Sequence, residues 1–151
     1  LAACSAPTGP AVELGTGEIE FVAIEDDDTL EIFQGPQGGF HLLASIRTKG
    51  IEPGDRGNLE DSNNPTITLD VVHEDESFIL IGPITQGLDP APIGELPFTH
   101  QMTGRFAILD IEDDDVLSEE SVTFSVRVQD SDGVEVEDSV DVHLAPHPNN
   151  Q

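Results

Sequence analysis

Tryptophan and tyrosine are absent from these 151 residues, cysteine and methionine occur once each, and five lysines and arginines stand against 31 aspartates and glutamates. Each shortage excludes something. A lone cysteine closes no intramolecular disulfide and supplies none of the paired spacings of a structural zinc site. The net charge of −26 argues against nucleic acid as a partner and against electrostatic docking on anionic lipid, since like charges repel. Without Trp or Tyr, the usual stacking platforms for sugars are missing. No apolar run reaches the ~18 residues of a membrane-spanning helix, and no window shows a helical period with caps. Serine nucleophile elbows, Cys–His pairs and metalloprotease motifs are also missing, and no pair of carboxylates stands out among so many. An enzyme is therefore not expected.

Low hydrophobicity with high charge also accompanies disorder. Here the apolar residues are ordered along the chain. In "SVTFSVRVQD" the residues Val122, Phe124, Val126 and Val128 share one face of a strand, with Thr123, Ser125, Arg127 and Gln129 on the other. "VEVEDSVDVHL" repeats the alternation through Val134, Val136, Val140, Val142 and Leu144, so the two runs read as a hairpin turned at Ser131–Gly133. Comparable runs are "EIEFVAIE", "TLEIFQ", "GFHLLASIRTK", "TITLDVVHE", "SFILI" and "THQMTGRFAILDI". Short strands separated by Gly, Pro, Asn and Asp clusters predict an all-β, antiparallel β-sandwich of about seven to nine strands. "EPGDRGNLEDSNNP" and "GPITQGLDPAPIGELP" read as exposed loops. The organisation expected is a tether over 1–16, one sandwich over 17–145 and a disordered tail over 146–151.

The closing hairpin resembles the last two strands of immunoglobulin-like modules of bacterial surface proteins, including the polycystic-kidney-disease and cadherin-like types. That resemblance implies an Ig-like sandwich and assigns no function. At the other end, "LAAC" resembles the lipobox of bacterial lipoproteins, in which the cysteine is lipidated and becomes the new N-terminus. The resemblance implies that Cys4 carries the lipid. A first residue Leu1 in place of methionine fits a signal peptide removed upstream, and "SAPTGPAVELGTG" has the composition of a tether. The expectation is a module in the bacterial cell envelope, held to the membrane through its lipid alone and free to meet a protein or envelope partner. Several acyl chains, at about 0.8 kcal/mol per inserted methylene, make such anchoring stable.

Three groups of residues are candidates for chemistry. "IEDDDTL" at Ile24–Leu30 recurs as "IEDDDVL" at Ile111–Leu117. Four consecutive carboxylates repel one another, and a hard cation with oxygen ligands relieves that repulsion. Asp26, Asp28, Asp113, Asp115, Asp130 and Asp132 are the calcium candidates, although acidic runs also occur as plain solvated turns. In "THQM", His100 and Met102 point the same way along a strand and suit copper(I), with His41 or His73 to complete the set. That pair resembles the His-x-Met of cupredoxin-like copper chaperones; the alternative is that Met102 shares a core face with Phe106 and Ile108. Finally, "GPQGGFH" opens a strand after two adjacent glycines, and Gln37, His41 and Arg47 are candidates for a binding surface. The alternative for this last stretch is a hairpin loop with a solvated histidine.

Overall fold

The computed structural model describes residues 9–95 and 97–150. Among them the chain forms eleven strands: β1 (Ala11–Thr16), β2 (Val22–Ala23), β3 (Thr29–Gln34), β4 (Phe40–Lys49), β5 (Thr66–His73), β6 (Glu76–Ser77), β7 (Ile84–Thr85), β8 (Asp89–Pro90), β9 (His100–Leu109), β10 (Ser121–Gln129) and β11 (Glu135–Pro146). A single 3-10 turn at Ile93–Glu95 is the helical content of the described residues, where no helix is long and apolar enough to cross a membrane. The all-β sandwich expected from the alternation is what the chain adopts.

One layer runs β2-β1-β4-β9-β8 and the other β11-β10-β5, the latter edged by β6 and β7. All these pairings are antiparallel. Strand β3 joins the layers: Thr29–Ile32 lie parallel to His143–Pro146 of β11, and Phe33–Gln34 then pair with Phe40–His41 of β4. On the opposite side the chain leaving β6 crosses back, with Ile79 bridging Leu109 and the Leu80 N–H donating to the Ile108 carbonyl at 2.9 Å.

The inner faces follow the period of two. Val122, Phe124, Val126 and Val128 of β10 and Val140, Val142 and Leu144 of β11 meet Leu42, Ala44 and Ile46 of β4 in one continuous apolar cluster. The hairpin turn falls at Ser131–Gly133, with Gln129 opposite Glu135. The two β-rich runs "EIEFVAIE" and "SFILI" are mostly irregular: only Val22–Ala23 and Glu76–Ser77, with the bridge at Ile79, are paired.

Three expectations are corrected. The segment read as a tether contributes β1, whose Ala11–Gly15 pair with Ser45–Lys49 and whose Val12 and Leu14 enter the core. A short alternating run becomes a strand because β4 offers it an open edge. The end of the chain is tied down as well: Asn150 accepts a hydrogen bond from Gln34 N–H through Oδ1 (2.9 Å) and donates through Nδ2 to the Ile32 carbonyl (2.7 Å). Third, Met102 does not share a face with Phe106 and Ile108. Opposite Ser45 the register slips, so that Met102 pairs with Ile46 but Arg105 with Ala44. Gly104 takes φ = 67° at this bulge, and a Cβ there would stand 2.2 Å from the Glu18 carbonyl oxygen. One extra residue reverses the parity of everything after it. Met102 is buried, Ala107 and Leu109 follow it inward, and Phe106 and Ile108 are turned out.

Candidate functional site

The turned-out residues assemble a surface on the outer face of β4 and β9. His41 stands opposite Ile108 and Leu43 opposite Phe106. The His41 ring stacks on Phe106, with centroids 3.9 Å apart, and Phe33 flanks it at 5.9 Å; His147 in turn packs on Phe33 at 4.7 Å. Burial among these groups pushes the His41 imidazole below its ordinary pKa, because desolvation disfavours the charged form. The ring is thus uncharged at neutral pH. Phe106 is 52 % exposed, Ile108 36 % and Leu80 61 %, and the Leu80–Ile108 backbone hydrogen bond places these side by side on the β9 edge. Next to them an open cleft of about 590 Å³ is lined by Ile81, Pro83, Ile84, Arg105, Phe106 and Ile108.

The proposed trio Gln37, His41 and Arg47 is not one site. Gln37 is exposed at the tip of the Gly35–Gly39 turn, beside a separate cleft with Gln34, Pro36 and Asn149. His41 is covered by Phe106 and Phe33. Arg47 is held at the far end of β4, roughly 20 Å away along the strand, its guanidinium 4.5 Å from the centres of both Phe21 and Phe98 and Nη2 2.7 Å from Glu13.

Nor does the copper set assemble. His100 pairs with Thr48 and His41 with Ile108, which separates them by roughly 23 Å along β4. Met102 is 2 % exposed against Ile46, and His73 lies in the other layer with Nδ1 3.1 Å from the Ser121 carbonyl. Strand parity relates His100 to Met102 alone, and neither His41 nor His73 comes near to complete a set.

The acidic candidates fall in three places. Asp26 accepts the Asp141 N–H (3.0 Å) and Asp28 the Glu25 N–H (2.8 Å) at the start of β3. Asp113, Asp114 and Asp115 present carboxylate oxygens within 4.8 Å of one another at the other end of β3, where Asp114 accepts from Asn150 Nδ2 at 2.9 Å. Asp130 and Asp132 sit at the β10–β11 turn, roughly 20 Å of strand from Asp141. Asp130 is 6 % exposed, and its oxygens accept three backbone N–H groups, from Glu52, Asp132 and Val134. It is a structural acceptor that pins the turn to the loop after β4. The repeated phrase therefore builds two unrelated corners, and no six-aspartate site forms.

Sequence reading missed Phe33, Arg105, Phe106, Ile108 and His147 as surface groups. A glycine inside an otherwise regular strand, Gly104, was the available signal for a bulge. Cys4 lies outside the described residues. No family model, curated protein or solved structure matches the chain.

Proposed function

We propose that the protein is a lipid-anchored, extracytoplasmic interaction module without catalytic activity, and that it meets its partner through the outer face of β4 and β9. One observation carries this reading: Phe106, Ile108 and Leu80 are adjacent and exposed on a chain of net charge −26. Contiguous exposed apolar side chains on a soluble domain mark a contact surface, since leaving them in water forgoes about 25 cal/mol per Å² of burial. The His41 ring stacked 3.9 Å behind Phe106 restrains that side chain, so little of its entropy is lost when it is covered. The lipobox-like "LAAC" supports the anchor. Seven residue steps from Cys4 to Ala11 span at most about 25 Å, so an anchored domain would stand close to the bilayer, where its acidity keeps it from lying on anionic lipid.

Two measurements test the reading. A photo-crosslinking amino acid at position 106 in cells should give discrete protein adducts, and one at the outward Glu137 on the opposite layer should not; equal patterns refute the surface. Labelling with a fatty-acid analogue should be lost in Cys4→Ser, and a variant that stays labelled refutes the anchor. The calcium reading retains one locus, Asp113–Asp115, favoured only by the 4.8 Å convergence of its carboxylates. A calcium-specific rise in melting temperature, absent in Asp114→Asn, would support it.

A further inference from the structure

Strand β9 pairs with β4 along one edge throughout except at the Thr103–Gly104 bulge, but along the other edge, among the described residues, only at its ends. Asp89–Pro90 of β8 pair with His100–Gln101, and Ile79–Leu80 meet Ile108–Leu109. Between them, over Met102–Ala107, no described strand runs alongside. The gap is roughly 17 Å long at about 3.3 Å per residue. The Ile108 carbonyl points to this edge, because it accepts from Leu80 N–H. By alternation the Phe106 N–H and C=O, two residues earlier, point the same way, while Ala107 turns its own groups to Leu42. No described residue bonds the Phe106 backbone there. An open edge of this kind is a template for one more strand.

The cleft beside the gap adds chemistry. Its walls Ile81, Pro83, Ile84 and Phe106 are apolar, yet Arg105 lines it, half-buried. Three of the other cations have acidic partners: Arg47 with Glu13, Arg56 with Asp89 and Arg127 with Glu135. Among the described residues Arg105 has no ion pair, in a chain with 31 acids. A guanidinium left unpaired against apolar walls is matched to an anion brought by a ligand, and its planar fork suits the carboxylate of a peptide.

We infer that the cleft takes an extended apolar peptide segment carrying a carboxylate, which adds to β9 as a strand between β8 and Leu80 and places the carboxylate on Arg105. This rests on the interaction surface proposed above and specifies its partner. Main-chain bonds to Phe106 hold the segment, alternate side chains fill the apolar cleft, and Arg105 selects its charge. A second copy of the chain is a poor occupant, because two bodies of −26 repel.

The test uses a hexapeptide of alternating threonine and valine whose N-terminus is capped by a neutral coumarin fluorophore and whose C-terminal carboxylate is free. Its amide-capped twin and a twin N-methylated at alternate residues serve as comparisons, with binding read by fluorescence anisotropy and by amide hydrogen exchange. The carboxylate form should bind about tenfold tighter than the amide. Arg105→Gln should abolish that preference with an unchanged melting temperature, and Arg105→Lys should restore part of it. N-methylation on the residues facing β9 should weaken binding at least about tenfold, and bound peptide should slow exchange of the Phe106 amide. Equal affinity for carboxylate and amide, a preference surviving Arg105→Gln, or a Phe106 amide unprotected by any of these peptides would overturn the inference. Crosslinking from position 106 that persists despite such a failure would leave the interaction surface standing and remove only strand addition.

Discussion

Replacing the Asp130 carboxylate by an amide should lower stability by about 2 kcal/mol. Oδ1 accepts the N–H groups of Asp132 (3.0 Å) and Val134 (2.9 Å), and Oδ2 accepts that of Glu52 (2.9 Å). Asparagine offers one oxygen. Left in the Oδ1 position, it opposes its own NH₂ to the Glu52 N–H; flipped, it serves Glu52 and abandons the other two. Either way at least one donor is left unpaired at a residue only 6 % exposed, a loss of about 1–3 kcal/mol. Asp130→Ala leaves all three without their acceptor, but the Asp132 amide belongs to an exposed turn and finds water, so the total should reach only about 3–4 kcal/mol. Removing one of 31 acids also relieves repulsion, and Asp132→Asn, at an exposed side chain of the same turn, isolates that opposing effect. In urea unfolding with m near about 2 kcal/mol/M, the asparagine variant should move the midpoint down by about 1 M at constant m. Hydrogen exchange should quicken first at the Glu52 amide. An asparagine variant within about 0.5 kcal/mol of wild type at the same m, or an alanine variant milder than asparagine, would refute the role given to these bonds.

At the bulge, Gly104→Ala should cost about 3 kcal/mol, since φ = 67° strains any Cβ and the added atom meets the Glu18 carbonyl; a loss below about 1 kcal/mol in the same assay would count against the bulge being held by that contact. His41 binds its proton less readily folded than unfolded, so the stability of wild type relative to His41→Phe is full above the ordinary pKa of 6.5, falls as pH drops through it, and levels off below the lowered folded value. A difference independent of pH from about 8 to 5 would contradict that. The acidic surface should make melting temperature rise alike with sodium and potassium chloride as screening shortens to about 10 Å near 0.1 M; a flat response would mean the carboxylates do not repel across the fold. If millimolar calcium matches what far more sodium does, and Asp114→Asn loses the effect, the Asp113–Asp115 corner is a metal site.

Strand identity was legible because the pleat repeats every two residues and so writes itself directly into Val122, Phe124, Val126 and Val128 and their counterparts on β11. The hairpin at Ser131–Gly133 and the absence of long helices among the described residues follow from the same local signals. The limits appear where the deciding contact is distant in sequence. Val12 and Leu14 alternate too briefly, beside Pro and Gly, to announce a strand; they become one because the open edge of β4, about thirty residues on, pairs with them. The two copies of "IEDDD" read alike, and the fold sends them to opposite ends of β3.

Asp130 looks like any other of the 31 acids until Glu52, Asp132 and Val134 turn their amides on it. Composition and periodicity by themselves determined an acidic all-β domain, the faces of its regular strands and the turn of its last hairpin, because each depends on neighbours within a few residues. Tertiary structure alone decided that one residue inserted at Gly104 reverses the face of Phe106 and Ile108. It also left an edge of β9 unpaired among the described residues beside Arg105, because pairing partners and burial are set by elements that the chain brings together from far apart.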